Sequence, residues 1–284
     1  ANISPPLGEV VETLNNASKA EAPAHIERWL DALDASGRWA LLKLVAGGFR
    51  IGAGGRLAKQ AVADFAGADV GEIEEVWHGL TPPYADLFAW AEGKAPKPSG
   101  AARAPFRPVM LAHALEEADQ SKLDPAEFAA EWKWDGVRVQ AVSDAGVRKL
   151  YSRAGEDITD AFPDVAAHLS FEGAIDGELL VRGGDGEAAP FNDLQQRLNR
   201  KKVDRAIMDK YPAFIRAYDL LADAADDLRA LPFSERREKL TAVVARAASP
   251  LTDLSPLVDA RDWESLSAAR ANPPQVETEG LMLK

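Results

Sequence analysis

The sequence contains no cysteine. That absence excludes disulfides, zinc–thiolate sites and cysteine nucleophiles, and it accords with a reducing compartment. No apolar run is long enough to span a bilayer, and no basic-then-apolar leader opens the chain, so no membrane partner is expected. Histidine is sparse: His25, His78, His113 and His168 are scattered without ligand spacing, and no histidine metal site is expected. The glycine-rich RIGAGGRLAK lacks a G-K-[ST] ending and follows no strand, so it is not a Walker phosphate loop. Spacing alone identifies no Ser–His–Asp arrangement, and the chain has no internal repeat.

What remains is an ordinary globular composition, 46% apolar and 27% charged over 284 residues, enough for one large domain or two smaller ones with a substantial core. The net charge of −12 argues, taken globally, against a nucleic-acid partner. Its distribution says more. Residues 35–63 hold no acid but contain Arg38, Lys43, Arg50, Arg56 and Lys59, and QQRLNRKK gathers Arg197, Arg200, Lys201 and Lys202. Each cluster alone reads first as a solvated face.

Apolar spacing of three and four residues predicts helices through HIERWLDALDA, GRWALLKLVAGGF, GRLAKQAVADFAG, IEEVWHGL and YADLFAWAEG. EGKAPKPSGAARAPFRP, rich in Pro, Gly, Ala and Ser, has nothing to bury and reads as a linker. The expected organisation is an all-α domain over residues 1–92, a linker over 93–105, and a second domain over 106–284. In the latter, EWKWDGVRVQAVSDAGVRKLYSR alternates, with Asp-Gly and Asp-Ala-Gly breaks suited to turns between strands. GAIDGELLVRGGDG and AFIRAYDLLA read as strands. FNDLQQRLNRKKVDRAIMDKY reads as one helix, and SERREKLTAVVARAA as a helix opened by its serine. This is an α+β domain with antiparallel sheet.

Within EWKWDGVRVQ, strand alternation puts Glu131 and Lys133 on one face, lining a cleft, and Trp132 and Trp134 on the other as core anchors. A nucleophilic lysine must lose its proton at neutral pH, against an ordinary pKa of about 10.4. Burial and nearby cations favour that loss, and Arg138, Arg153 and Lys284 are the candidates.

Lys133 does not stand alone. KWDGVR is followed in order by SRAGE with Arg153 and Glu156, DGELL with Asp176 and Glu178, AYDLL with Tyr218, and EGLMLK with Glu279 and Lys284. Order and spacing over residues 105–284 resemble the nucleotidyltransferase motifs of ATP-dependent DNA ligases: KxDGxR, SRxGE, DGEL, an aromatic-Asp element and EGxMxK. KLVAGGFRIGAGGRLAKQAV more loosely resembles the L-R-I-G segment of the helical DNA-binding domain that precedes the catalytic one in bacterial members.

The resemblance implies an α+β antiparallel-sheet nucleotidyltransferase domain (ATP-grasp-like ligase adenylation) behind an all-α module. It implies ATP as the nucleotide, a covalent AMP on Lys133, transfer of that AMP to the 5′-phosphate of a nick, and attack by the 3′-hydroxyl. Glu131 would face adenine, Tyr218 would stack on it, and Arg138 and Arg153 would hold phosphate or ribose. Glu178 and Glu279 would bind Mg²⁺ (or Mn²⁺) or the ribose hydroxyls, with Asp176 either joining them or holding the turn at Gly177. Lys284 would contact the α-phosphate, although as the last residue it is expected to fray. Nicked double-stranded DNA would be gripped by Arg50, Arg56 and Lys59 and, near the nick, by Arg200 and Lys201. A cytoplasmic, nucleoid-associated monomer acting in DNA repair, replication or recombination would follow. The chain starts at Ala1 rather than Met and stops in what reads as mid-strand, so it is expected to be part of a longer polypeptide. Without a C-terminal OB domain in cis it is expected to seal nicks poorly. The alternatives are an RNA ligase, an mRNA-capping guanylyltransferase and a non-catalytic DNA-binding fragment.

Overall fold

Amphipathic helices open the chain in the computed structural model, which describes residues 4–284 apart from 19, 48–51, 78, 81–82, 99–102, 185, 199, 201–202 and 274–277. The described residues form two compact units, 1–61 and 62–284. In the first, α1 (Leu7–Asn16), α2 (Ala22–Ala32) and α3 (Ala35–Val45) enclose a small core of Val10, Trp29 and Leu41. Asp34 starts α3 by accepting a hydrogen bond from Gly37 N at 2.7 Å, satisfying one of the donors that every helix N-terminus leaves open. Helix α4 (Gly55–Ala66) runs across the division.

In the second unit, α5 (Val70–Trp77) and α6 (Ala85–Ala91) close a core with Ala63, Ile73, Val76 and Leu87. Two sheets follow. The larger has the order β3 (Val147–Ser152), β2 (Val137–Asp144), β4 (Gly173–Val181), β5 (Ala213–Asp223), β6 (Asp226–Asp227). It is antiparallel, apart from β7 (Thr252–Leu254), which lies parallel to β5. The smaller is antiparallel β8 (Leu257–Val258), β1 (Ala130–Trp134), β9 (Thr278–Leu283). The remaining helices are α7 (Glu117–Gln120), α8 (Pro163–Ala167), α9 (Phe191–Leu198), α10 (Arg205–Lys210), α11 (Phe233–Ala247) and α12 (Trp263–Ala271). One face of the large sheet, carrying Val139, Ile175, Leu179, Val181, Ile215 and Ala217, buries Phe162, Val165, Leu194, Leu240 and Val243 of the helical layer. Among the described residues no helix is long and apolar enough to cross a membrane.

Four local expectations differ from the structure. Asp135-Gly136 does not close a hairpin, because β1 and β2 belong to different sheets. A Cβ on Gly136 would lie 2.6 Å from the Leu179 carbonyl oxygen, so glycine is required there for close approach to β4 as the chain changes sheets. Asp-Ala-Gly does make the β2–β3 hairpin, with positive φ at Ala145 and Gly146. The helix expected from Phe191 to Tyr211 is two helices. Asp204 caps α10 through Ile207 N at 2.9 Å, a role aspartate fills better than a helix interior. Helix α11 starts at Phe233 after Pro232, with no side-chain cap, rather than at its serine. Lastly, the linker does bury surface at its C-terminal end. Ala104 and Phe106 pack with Val142, Tyr151 and Leu221, and Tyr151 donates to the Ala104 carbonyl at 2.8 Å.

Candidate active site

Strand β4 alternates, so Asp176 and Glu178 point away from the apolar core that takes Ile175 and Leu179. The β2–β4 register sets Arg138 opposite Glu178 and Gln140 opposite Asp176. Arg138 forks onto the buried Asp176 carboxylate, Nε to Oδ1 at 3.1 Å and Nη2 to Oδ2 at 2.5 Å, and also donates to the Met110 carbonyl at 2.8 Å. Burial opposes the charge on Arg138, but the Asp176 carboxylate outweighs it and the guanidinium is held charged. Burial pushes the Asp176 carboxyl up, against the pull of Arg138.

Glu178 makes no hydrogen bond or ion pair to any described residue. Burial, reinforced by the Asp176 charge and only partly offset by Arg138 and Lys133, pushes its carboxyl up to about 8. At Gly177 a Cβ would lie 2.8 Å from the Arg216 carbonyl oxygen, so β5 crosses very close. There the β4–β5 register jumps from Asp176–Asp219 to Gly177–Ala217, leaving Tyr218 as the extra residue of a bulge. Bulges re-aim a side chain in this way. Burial, with the Asp176 and Glu178 charges, raises the Tyr218 phenol well above its ordinary range, so it stays neutral.

The small sheet supplies the lysines. In the β1–β9 ladder Lys133 stands opposite Gly280 and Trp134 opposite Thr278, which makes Glu279 the bulge residue. Its carboxylate contacts Lys133 Nζ, and both side chains are 49% exposed, so the pair is open to a ligand. Trp134 is buried among Leu180, Ala188 and Phe214, with Trp132 packed against them, in keeping with their expected anchoring role. Trp134 Nε1 donates to Ser255 Oγ at 3.0 Å, and Arg216 covers its ring at 4.3 Å.

Glu131 is 1% exposed. Both its oxygens are engaged by cations, Oε1 by Arg237 Nη1 at 2.6 Å and Oε2 by Lys284 Nζ at 2.5 Å. Burial raises its carboxyl, and these two cations oppose the rise. Lys284 is not frayed: its backbone N–H and carbonyl both pair with Ala129 at 2.9 Å, extending the ladder. Its ammonium lies 4.3 Å from the Tyr218 ring centroid and 5.2 Å from that of Phe233.

The structure thus pairs Lys133 with Glu279, sets Glu178 within electrostatic reach of Lys133, joins Arg138 to Asp176, and gathers Glu131, Lys284 and Tyr218. Arg153 stands apart on the exposed turn after β3, which is closed by Gly155 N to Ser152 O at 2.8 Å, and pairs with no described residue. Of the basic residues, Arg56 and Lys59 lie on α4, one helical turn apart. Arg50 and Lys201 lie outside the described residues. Arg200 is exposed and donates to the Gln196 carbonyl at 2.8 Å. Arg197 leaves that cluster: it is fully buried, forks onto Asp164 and covers the Phe162 ring at 4.7 Å. The pattern QQRLNRKK gives no hint of this, because the partner Asp164 is 33 residues away.

Sequence reading also missed the arginine pair at the start of α11. Arg236 forks onto Asp219 at 2.8 and 2.9 Å while Arg237 reaches Glu131. Adjacent helical residues diverge by about 100°, which lets neighbours serve separate acids. The doublet in SERREKL was the available signal, but its partners lie 17 and 106 residues away.

Among the described residues no group of three or more His, Asp and Glu gathers at metal-binding distance. A magnesium ion does not need one, since it typically takes one or two carboxylates and keeps waters and substrate phosphates as its other ligands. The half-buried Glu178 carboxyl, without a partner among the described residues, fits that requirement: burial disfavours its negative charge unless a cation comes close.

Residues 109–284 match the family model of the ATP dependent DNA ligase domain. A probable DNA ligase of Anaeromyxobacter sp. (strain Fw109-5) is 35% identical over 241 residues, covering 81% of this chain and 46% of that protein. A DNA ligase of Haloferax volcanii is 38% identical over 188 residues, covering 63% of this chain and 31% of that one. The chain therefore spans less than half the length of these curated relatives. The solved structure Pmar-Lig_PreS3 superposes over 98% of this chain and 58% of its own, with a TM-score of 0.54 at 14% identity, a likeness of fold alone.

Proposed function

The chain belongs to the ATP-dependent DNA ligase family, and on that premise we infer that it carries the nucleotidyl-transfer centre of an enzyme that seals nicks in double-stranded DNA. The single observation that supports this most is the setting of Lys133: a half-exposed amine in contact with one glutamate of EGLMLK and within electrostatic reach of the glutamate of DGELL.

The reaction follows in three balanced transfers. The Lys133–Glu279 pair opens and Nζ loses its proton. Nζ then attacks the α-phosphorus of ATP; an N–P bond forms and pyrophosphate leaves. Next, a 5′-phosphate oxygen at the nick attacks the same phosphorus and Lys133 departs, leaving AMP on the DNA. Finally the 3′-hydroxyl attacks the 5′-phosphorus, AMP leaves, and the phosphodiester is made. Such transfers depend chiefly on positioning and on neutralising charge at the phosphoryl oxygens. Arg153, exposed and unpaired among the described residues, is suited to phosphate. Arg138, tied to Asp176, keeps its remaining donors for phosphate or ribose. Tyr218 offers a ring for the purine. Glu178 and Glu279 are the residues that would hold Mg²⁺, which supplies Lewis-acid neutralisation of the phosphates when bound.

Duplex binding falls to the helical module, residues 1–92 in the domain division proposed from sequence, through Arg50, Arg56 and Lys59. Arg200 and Lys201 act nearer the nick. Contacts of this kind hold phosphate without reading bases, so affinity should fall steeply with salt. A nucleoid-associated cytoplasmic enzyme accords with this partner.

The test is the mass of the purified protein after incubation with ATP and magnesium. A covalent AMP adds roughly 329 Da through a lysine phosphoramidate, and Lys133→Ala should lack it while melting normally. A folded protein with Lys133 intact that never takes label from ATP overturns the reading.

A further inference from the structure

We propose that Arg237 is a specificity-determining positioning residue, which holds Glu131 as a fixed anionic acceptor for the exocyclic amine of a purine and so selects adenine over guanine nucleotides. The inference rests on the nucleotidyl-transfer reading above. It goes further in naming a residue, outside all five motifs, on which the reading of the base by Glu131 depends.

The starting point is what occupies the Glu131 pocket. Lys284 Nζ donates to Glu131 Oε2 at 2.5 Å while lying 4.3 Å from the Tyr218 ring centroid and 5.2 Å from that of Phe233. An N–H donor is thus held against a buried carboxylate beside aromatic rings. An aminopurine makes the same contacts, with its amine on an acceptor and its flat ring on an aromatic face. The ammonium therefore marks the position an exocyclic amine would take. An ionised carboxylate only accepts hydrogen bonds. It welcomes the amino group of adenine, and it repels the carbonyl oxygen that guanine carries at the corresponding carbon. A buried polar group built for one partner rejects the analogue that leaves it unpaired.

Lys284 cannot remain on Glu131 once a purine arrives. Arg237 can. It approaches the other oxygen, Oε1, at 2.6 Å, and a second arm of its guanidinium donates to the Ser255 carbonyl, so the side chain is anchored from two sides. Its own side chain is only 11% exposed, which leaves little water to substitute for it. Without a neighbouring cation, burial drives Glu131 towards its protonated form. A protonated carboxyl can donate as well as accept, so it would lose the discrimination between an amine and a carbonyl. The ion pair also ties α11 to the small sheet. A purely mechanical tie would change stability and leave the choice of nucleotide untouched, and this separates the two roles.

The experiment compares self-labelling of the protein with α-labelled ATP and α-labelled GTP, in the parent and in Arg237→Met, Arg237→Lys and Glu131→Gln. The parent should take ATP in strong preference. Arg237→Met should lower the ATP:GTP preference at least about tenfold, chiefly through a higher KM for ATP. Arg237→Lys keeps a cation and should recover most of the preference. Glu131→Gln presents either an acceptor or a donor and should admit GTP. In Arg237→Met the preference for ATP should also climb with pH as Glu131 loses its proton, and more steeply than in the parent, where the cation opposes the rise that burial causes. A folded Arg237→Met with the parental ATP:GTP ratio overturns the proposal. Should that variant fail to fold, unchanged ratios in both Arg237→Lys and Glu131→Gln overturn it instead. A parent labelled by neither nucleotide defeats the proposed function itself, and this inference with it, a result distinct from a labelled parent with indifferent variants.

Discussion

On one side of β4, Ile175, Leu179 and Val181 are buried among the helices. One residue along, on the other side, Asp176 is tied to Arg138 and Glu178 has no described partner. The two faces share a backbone, a register and a twist. What separates them is how each answers the loss of water. Apolar groups gain by it in proportion to the area they bury. Carboxylates lose by it unless a cation stands close. The apolar face is therefore self-sufficient, and the polar face stays incomplete until something positive arrives. An incomplete face is the kind that binds substrates and ions.

Substitution can break that contrast. The largest effect is expected at Arg138→Met, which leaves the buried Asp176 without its cation at a cost of about 3–5 kcal/mol. In this variant the Asp176 pKa lies above its unfolded value, so the folded form holds the proton more tightly. Stability therefore falls as pH rises above the ordinary aspartate range. Urea unfolding at pH 5 and pH 8 should show the larger deficit at pH 8; equal deficits would mean the pair is not what keeps Asp176 ionised.

Next is Leu179→Ala on the apolar face, expected to cost about 2–5 kcal/mol for lost burial plus the cavity left behind. Its loss should be independent of pH, and Lys133 labelling per folded molecule should be retained. A strongly pH-dependent loss would mean the two faces are not separable.

The smallest effect is Glu178→Gln. With the carboxyl pushed up to about 8, the folded protein keeps a proton that the unfolded chain gives up near pH 4.5. Stability therefore declines between those values and levels off above pH 8. The amide removes the decline, so parent and variant should melt together near pH 5. At pH 8.5 the variant should be the more stable, by on the order of 2 kcal/mol or less given partial solvent access. Magnesium should raise the parent's melting temperature more at pH 8.5 than at pH 6.5, and should do little for Glu178→Gln. A magnesium effect independent of Glu178 would remove that residue from the metal site.

Much of this was readable along the chain. Two-residue alternation located β2 and β3, and GAIDGELL and AFIRAYDLLA were legible as the strands β4 and β5, while the split of Asp176 and Glu178 from Leu179 across β4 came from the structure. Alternation likewise paired Glu131 with Lys133, and Trp132 with Trp134. The asymmetric distribution of charge marked Arg56, Lys59 and Arg200 as positions to inspect. Where reading failed, it failed over distance. Asp135-Gly136 has the composition of a hairpin turn, yet it is a corner between sheets, fixed by the approach of Leu179 across the fold. Arg197 looked like one more surface cation until Asp164 and Phe162 enclosed it.

By itself the sequence determined the longer strands, the order of the motifs and which side chains of β1 share a face, because these depend on backbone periodicity over a few residues, whereas the short β6, β7 and β8 left no such pattern. Only the tertiary structure decided that β1 pairs with β8 and β9 rather than β2, that Tyr218 is thrown out by a bulge, and that Arg237 grips Glu131 across 106 residues. Those outcomes are settled by which desolvated groups meet once the chain has collapsed, and no local pattern records a partner that far away.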